Sequence, residues 1–264
     1  LTGALIGRPN TGTFRLQDLV GLDTGEKVTQ FVVNNVKNDS FFESVGKATE
    51  LKFMTFLLEN NFLGNKTGKG FYHKTDQKDL NGKTIINALD LKTLEYKTSV
   101  RPKNPILKEA KVIENMHKRM LFLMNKEGKE SFFLKEYFAA IFAYAAQRVP
   151  EISDQFYPVD DAMRGGYVWD FGPFEYWDLI GFQNGVEIIE ASGEKIPDWV
   201  GQMQKAGADQ FYKYEKGKKK YYDLDSKVYK TVPGSNAFII LDSFRENTPI
   251  IKNTECTVHD IGDG

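Results

Sequence analysis

The sequence predicts a mainly α-helical protein built from two tandem helical modules, of which the first is truncated, with a small β-hairpin in the second. Three observations support this fold class. A 14-residue motif occurs twice at an offset of 160 residues. Apolar residues recur at helical spacing in long stretches between the two copies. Aromatic residues also alternate around a glycine-containing turn near residues 210–230, which is typical of a hairpin.

The repeated motif consists of Gly12–Gly25 and Gly172–Gly185, which are identical at six of 14 positions. About one identity is expected by chance at average residue usage. A shorter match follows each copy in the same order, because Gly70–Lys74 resembles Gln210–Tyr214. In both copies a loop glycine precedes a helix with one apolar stripe. Two copies of one helical module explain these matches, and coincidence between amphipathic helices is the alternative.

The segments around the motifs define the predicted domain organisation. Helical patterns cover residues 47–61, 105–126 and 130–148. The stretch from 75 to 104 is polar, and the prolines Pro102 and Pro105 lie at its end, which indicates a linker. We therefore predict a truncated first module over residues 1–75, a linker over 76–104, a second module with its hairpin over 105–232, and a tail over 233–264.

Composition and charge narrow the classes of function. The 264 residues carry 35 Lys+Arg against 36 Asp+Glu, so no net field attracts nucleic acid or an anionic membrane. The most apolar stretch, Phe132–Ala146, contains Lys135 and Glu136 and is shorter than the ~20 residues of a membrane span. Cys256 is the single cysteine, which excludes an intramolecular disulfide and suits a cytoplasmic location. Because the first residue is Leu1, we expect a piece of a longer protein.

Motifs for metal binding or for phosphate binding are weak. The three histidines, His73, His117 and His259, are scattered and give no metal-ligand spacing, so we predict no metal site. The glycine-rich turn Gly64–Gly70 lacks the spacing of a Walker A loop. The lysines at 216 and 218–220 fit a solvated hairpin tip.

The carboxylates allow two interpretations. Asp160, Asp161 and Glu175 would suit acid–base chemistry if two of them faced each other, which the sequence alone does not show. Asp18 and Asp178 are interpreted as polar-face or internal hydrogen-bonding residues of their helices. No Gly-x-Gly-x-x-Gly follows a predicted strand, so the chain supplies no dinucleotide-binding fingerprint.

Two stretches of the second module carry a resemblance to a known family. Val159–Tyr167 followed by Gly172–Gly181 resembles the Asp-x-Ala-Met…Gly-Pro-Phe-Glu…Asp-x-x-Gly signature of the helical C-terminal domain of 3-hydroxyacyl-CoA dehydrogenases. In the first module, Asp18–Thr24 and Lys66–Tyr72 match the later motifs of that family. The resemblance covers about residues 1–232. It implies two tandem 6-phosphogluconate-dehydrogenase-like C-terminal helical modules. Residues 255–264 also resemble the first strand of an enoyl-CoA hydratase (crotonase-like) domain.

The resemblance implies a function for a longer protein rather than for this chain alone. Members of the family use NAD to oxidise (3S)-3-hydroxyacyl-CoA to 3-oxoacyl-CoA in fatty-acid β-oxidation, with catalytic residues on a preceding Rossmann domain. It therefore implies no catalytic residue within residues 1–264 and no cofactor bound to the chain alone. Pro9, Thr11 and Phe14 are implied to line the acyl or cofactor cleft. Residues implied to be structural are Gly172, Pro173, Phe174, Glu175, Asp178 and Gly181.

The implied partners follow from the same resemblance. They are an acyl-CoA substrate, the protein's own Rossmann domain and its crotonase-like domain, with no nucleic acid and no membrane span. The loop around residues 169–173 is the counterpart, in the second module, of the loop that holds Pro9 and Thr11. It is expected to pack the two modules as an internal pseudo-dimer. The chain is then expected to be a monomer with this internal pseudo-dimer, or a homodimer. The alternative function is a purely structural helical interaction module without a ligand.

Overall fold

Helices form most of the regular structure, as the sequence predicts. The computed structural model describes residues 1–39, 41–43, 51–100, 103–215, 217–235, 249–253 and 256–261. Within these residues the chain divides into two units, residues 1–108 and residues 109–264, which are described separately below. The second unit begins close to the predicted start of the second module at residue 105.

Unit 1 combines a pair of helices with a small sheet. Its elements are α1 (Gly12–Val20), α2 (Leu22–Asn35), α3 (Lys52–Glu59), β1 (Tyr72–Lys78), β2 (Thr84–Leu89) and β3 (Tyr96–Thr98), with short 3-10 turns at Ala4–Ile6 and Asn65–Thr67. Its core cluster contains Leu22, Leu57, Phe71 and Leu89, with Tyr96 packed against it. Helix α3 lies inside the predicted helix 47–61, of which residues 47–50 lie outside the described residues.

The predicted linker over residues 76–104 is wrong, because most of it belongs to an antiparallel sheet of order β1-β2-β3. The polar residues that suggested a linker form its turns. The Asp79 carboxylate accepts hydrogen bonds from the backbone of Asn81 (2.8 Å) and Lys83 (2.9 Å). The strands between the turns bury Leu89, which pairs with Tyr96. Short polar turns therefore outweighed a few apolar strand positions in the sequence pattern.

Unit 2 is mostly helical and carries a second three-stranded sheet. A connecting helix α4 (Pro105–Val112) precedes α5 (Met116–Asn125), α6 (Lys129–Ile152), α7 (Tyr157–Tyr167), α8 (Pro173–Ile180), α9 (Phe182–Ala191) and α10 (Asp198–Lys205). The strands are β4 (Tyr212–Glu215), β5 (Lys218–Tyr222) and β6 (Tyr229–Thr231), and the tail adds a two-stranded pair, β7 (Ile251–Lys252) and β8 (Thr257–Val258).

Two predicted helices of unit 2 have different bounds in the structure. The predicted helix 105–126 is split into α4 and α5, because Asn115 caps a new helix by accepting a hydrogen bond from the backbone of Lys118 at 2.9 Å. The predicted helix 130–148 is confirmed and extends to Ile152. The hairpin predicted near residues 210–230 is also confirmed. Tyr212 pairs with Tyr221 across β4 and β5, and β6 adds a third strand.

The core of unit 2 is aromatic. Phe138 and Phe142 of α6 lie against α8, with ring centroids 5.2 Å from Tyr176 and 5.1 Å from Trp177. The Phe211 ring, just before β4, lies 5.0 Å from Trp177. All five side chains are fully buried. The sheet and the helices of this unit therefore share one core. Among the residues with a described structure, no helix is both long enough and apolar enough to cross a membrane.

Candidate functional site

The three residues implied to line a cleft lie together at the start of α1. Pro9 is exposed and Thr11 is half-buried, and the backbone N–H of Gly12 donates to the Pro9 carbonyl at 3.4 Å. Phe14 is 42% exposed, and its ring lies 4.8 Å from the Phe71 ring. The loop enters through Gly7, which has a φ of 73° that favours glycine. The structure thus brings these residues together at the loop before α1 and the first turn of that helix, and their role as cleft-lining residues stays a prediction.

A buried aspartate fastens this helix to the sheet of unit 1. The Asp18 carboxylate accepts hydrogen bonds from the backbone N–H groups of Phe71 (2.7 Å) and Tyr72 (2.9 Å). Burial raises the pKa of Asp18, although these two hydrogen bonds and the nearby Arg15 oppose the shift. A Cβ at Gly64 or Gly70 would overlap atoms of Asp18. The glycines are therefore required for the close approach of the loop to this carboxylate.

The same contacts occur at Asp178 in unit 2. Its carboxylate accepts hydrogen bonds from the backbone N–H groups of Phe211 and Tyr212, each at 2.8 Å. Both aspartates precede a glycine that separates two helices, with φ/ψ of 100°/125° at Gly21 and 94°/133° at Gly181. The interpretation of Asp18 and Asp178 as internal hydrogen-bonding residues is confirmed.

A further pair of matching turns was missed by the sequence reasoning. Asp90 and Asp223 each end a strand and accept backbone hydrogen bonds from the turn that follows, and each pairs with a lysine of the next strand, Lys97 at 2.9 Å and Lys230 at 2.8 Å. Leu94 and Lys227 occupy the same left-handed position, with φ of 60° and 58°. The signal is present in the sequence as Asp-Leu-x-x-x-x-Tyr-Lys-Thr, at residues 90–98 and 223–231.

The carboxylates considered for acid–base chemistry form a buried ionic cluster in unit 2. Asp160 is fully buried and accepts from the backbone N–H groups of Phe174 (2.9 Å) and Glu175 (3.1 Å) and from the Tyr212 hydroxyl (2.7 Å). Glu175 accepts from the backbone of Gly172 at 2.7 Å and pairs with Arg164 and Lys219. The structure thus brings Asp160 and Glu175 together.

The electrostatics of this cluster separate its two buried acids. Burial and the neighbouring Glu175 charge raise the pKa of Asp160 to about 7. Burial also acts to raise the pKa of Glu175, but the Lys219 ammonium, a backbone hydrogen bond and Arg164 outweigh it and hold that pKa below its ordinary value. Asp161 is exposed and pairs with Arg164. Asp160 is fully buried, and the contacts named above join α7, α8 and the sheet to one another.

The residues implied to be structural all lie on or beside α8. Gly172 caps the helix, Pro173 is its first residue, and Gly181 ends it in a conformation that favours glycine. A Cβ on Gly172 would overlap Asp160. Phe174 is fully buried, with its ring 5.1 Å from the Phe211 ring.

The described residues do not fit a nicotinamide cofactor. Every strand pairing among them is antiparallel. A dinucleotide site of the Rossmann type needs a parallel βαβ unit with a glycine-rich turn. In the same part of the chain, no group of three or more His, Cys, Asp or Glu side chains converges as metal ligands would.

The fold and these contacts define an α-helical domain in which a glycine-hinged helix pair is fastened by a buried aspartate to a small antiparallel sheet. Residues 2–74 match the family model described as "3-hydroxyacyl-CoA dehydrogenase, C-terminal domain". This match confirms, for residues 2–74, the resemblance noted in the sequence.

Curated relatives match over longer stretches. A "Probable 3-hydroxyacyl-CoA dehydrogenase" of Bacillus subtilis (strain 168) is 34% identical over all 264 residues, which cover 32% of that protein. A "Putative fatty acid oxidation complex trifunctional enzyme" of Rickettsia prowazekii (strain Madrid E) is 28% identical over 70% of this chain and 23% of its own length. A protein of the same description from Rickettsia felis is 22% identical over 97% of this chain and 33% of its own length. The chain thus spans about a third or less of these relatives.

Proposed function

We propose that this chain is a C-terminal helical region of an NAD-dependent 3-hydroxyacyl-CoA dehydrogenase of fatty-acid β-oxidation. The observation that carries the proposal is the 34% identity to the Bacillus subtilis relative along the whole chain. The whole protein would oxidise (3S)-3-hydroxyacyl-CoA to 3-oxoacyl-CoA in the cytoplasm. NAD and the catalytic residues would belong to a Rossmann domain, and a crotonase-like domain would be a further partner, in keeping with the "trifunctional" name of two relatives.

The proposal includes two copies of one module in tandem. Four features support it: the aspartate contacts at Asp18 and Asp178, the glycine between paired helices, sheets of the same strand order, and the matching turns after Asp90 and Asp223. A glycine-hinged helix pair bound by an aspartate to the first strand of a sheet is a specific combination. Independent origins of all four features would require repeated coincidence.

In this proposal the loop before α1 and the first turn of α1 form part of the wall of the acyl-CoA cleft. Support comes from its geometry, because Pro9 is exposed and Phe14 presents part of its ring at the surface while Phe71 holds the other side. An aromatic side chain anchored on one face and free on the other suits contact with an acyl chain or a pantetheine arm. The chain alone would bind without catalysing, as an internal pseudo-dimer or a homodimer.

The test compares the 264-residue chain with the longer protein, using acetoacetyl-CoA and NADH as substrates. We expect turnover by the longer protein and none by the chain alone. In the longer protein, Phe14→Ala should raise KM for acetoacetyl-CoA several-fold, whereas Leu80→Ala, in an exposed turn of the same unit, should leave KM unchanged. Turnover by the 264-residue chain alone would refute the assignment of catalysis to another domain. An unchanged KM for Phe14→Ala would refute the role of the loop.

A binding measurement separates the proposal from a purely structural module. Isothermal titration of the 264-residue chain with acetyl-CoA should give measurable heat that Phe14→Ala diminishes. If the longer protein is active, but Phe14→Ala changes neither its KM nor the heat of acetyl-CoA binding, the chain contributes structure alone.

A further inference from the structure

The chain contains two Asn-Gly dipeptides, Asn81-Gly82 and Asn184-Gly185, and the structure places them in opposite surroundings. Asn81 and Gly82 lie in the turn between β1 and β2, where residues 76–84 are all exposed. Asn184 and Gly185 lie inside α9, and Gly185 is buried there. The same pair of residues is thus accessible to water and free to move in one unit and packed into a helix in the other.

The turn that carries Asn81 is held by short-range hydrogen bonds. The Asp79 carboxylate accepts from the backbone N–H groups of Asn81 and Lys83, and the Asp79 carbonyl accepts from the N–H of Gly82 at 2.9 Å. The register of β1 against β2 shifts between residues 74 and 78, just before the turn. An exposed turn with local hydrogen bonds opens at little cost in free energy. The side chain of Asn81 therefore reaches the backbone nitrogen of Gly82 through a local opening.

We propose that Asn81 is a site of spontaneous deamidation in the folded chain, with water as the co-reactant. The backbone nitrogen of Gly82 attacks Cγ of Asn81, and the new N–Cγ bond replaces the Cγ–Nδ2 bond. Nδ2 leaves as ammonia and takes the proton of the Gly82 N–H. Water then opens the cyclic imide at either carbonyl, which leaves aspartate or isoaspartate at position 81. Glycine favours the attack because it has no side chain to obstruct it and allows backbone angles that other residues avoid.

The contacts of Asn184 show why the second dipeptide is protected. Its side-chain amide donates to the Ile180 carbonyl at 2.7 Å, and the N–H of Gly185 donates to the Gly181 carbonyl at 3.0 Å, as in a regular helix. Helix α9 also packs against α6 and α8. The attack at this position therefore requires the opening of a packed helix, which costs far more free energy than the opening of an exposed turn.

Deamidation changes the turn in two ways. It adds one negative charge close to the Asp79 carboxylate, and isoaspartate also adds one methylene group to the main chain between positions 81 and 82. The backbone donors of the Asp79 carboxylate, Asn81 and Lys83, flank the altered bond. The change is therefore expected at the tip of the hairpin. This inference is independent of the proposed function.

The experiment incubates the 264-residue chain at pH 7, folded or in urea, and follows the conversion of amide to acid by mass spectrometry of tryptic peptides. Cleavage after lysine and arginine isolates Asn81 in the peptide 79–83 and Asn184 in the peptide 165–195. In the folded chain we expect conversion about tenfold or more faster at Asn81 than at Asn184, because the two positions differ in the cost of local opening. In urea the two rates should converge, since the dipeptides are identical.

Two variants serve as controls. Asn81→Gln should abolish conversion in the peptide 79–83, because the longer side chain closes a less favourable ring. Leu80→Ala, at a fully exposed neighbour, should leave the rate unchanged. Equal rates at the two dipeptides in the folded chain would overturn the inference, and so would conversion at Asn81 in urea but not in the folded chain. No result of this experiment depends on dehydrogenase activity, so its failure and the failure of the proposed function are distinguishable.

Discussion

Gly185 offers a sharp test of the packing of unit 2, because the chain contains its matched control. Gly185 lies in α9, and a Cβ there would overlap Nε1 and Cδ1 of Trp177 and lie 2.7 Å from Cε2. That indole is fully buried, donates to the Phe182 carbonyl at 2.8 Å, and stacks on Phe142. Gly185→Ala therefore forces the Trp177 ring out of its position.

Two unfavourable effects and one favourable effect determine the change in the free energy of unfolding. Overpacking a core costs about 1–3 kcal/mol, and loss of the indole hydrogen bond costs about 1 kcal/mol. Alanine regains about 1 kcal/mol over glycine in a helix interior. We therefore expect Gly185→Ala to lower the free energy of unfolding of unit 2 by about 2 kcal/mol. Gly25 is the control, since its Cβ would meet only the Oε1 of Gln17 at 3.0 Å, at the end of an exposed, flexible side chain.

The assay is urea unfolding followed by tryptophan fluorescence. All three tryptophans, Trp169, Trp177 and Trp199, lie in unit 2, so the signal reports that unit. With a slope of about 2 kcal/mol/M, Gly185→Ala should lower the midpoint by about 1 M. Gly25→Ala should leave this midpoint unchanged and leave unit 1 as stable or more stable by circular dichroism. If Gly185→Ala leaves the fluorescence midpoint unchanged, the close packing of α9 on Trp177 is incorrect.

Three other predictions concern charges. The pKa of Asp160 is raised to about 7, so its contribution to the free energy of unfolding is fully present below the ordinary pKa near 3.8 and is lost as pH rises through about 7. Asp160→Asn should therefore flatten the dependence of the urea midpoint on pH across this window. An unchanged pH dependence of the midpoint would contradict the prediction. Lys219→Met leaves Arg164 as the one remaining cation paired with the buried Glu175. At pH 7 we expect the free energy of unfolding of unit 2, measured by the fluorescence assay, to fall by about 2–3 kcal/mol. A loss too small to measure would refute the pairing. Lys66→Met breaks an exposed pair with Asp23 and should leave the thermal midpoint of unit 1 unchanged by circular dichroism; a clear drop would show that the pair is more than a surface contact.

Much of the helical structure was predictable because local signals determine it. Gly12 at the start of α1, Gly172 before α8, the apolar stripes and the glycines between paired helices are all short-range patterns in the sequence. The break between α4 and α5 also had a local signal in Asn115, which favours a helix start, but the apolar stripe continues through it. The sheet of unit 1 was missed because its turns are polar and Leu89 is the one buried position in its three strands.

The buried cluster of unit 2 was beyond sequence reasoning for a different reason. Glu175 and Lys219 are 44 residues apart, and their meeting depends on the packing of the sheet against α8. Spacing along a helix gives the direction of a side chain, but not which side chain of another element will reach it. The sequence left Asp18 and Asp178 as either polar-face or internal hydrogen-bonding residues, because spacing along a helix does not show which backbone N–H groups of another element reach a carboxylate.

The two helix pairs differ in an instructive way. Asp18 and Asp178, and the hinge glycines Gly21 and Gly181, are identical because each serves a backbone geometry: two N–H groups to satisfy and a φ near 100°. Gln17, by contrast, corresponds to Trp177. The first side chain is exposed and the second is fully buried, so the residue at this position depends on what packs against the helix. The residues that make such a domain recognisable are thus scaffold residues. Phe14 is also identical to its counterpart Phe174, whereas Pro9 and Thr11 precede the repeated motif. Repetition therefore gives no evidence for the predicted cleft-lining role of Pro9, Thr11 and Phe14, which has to be measured.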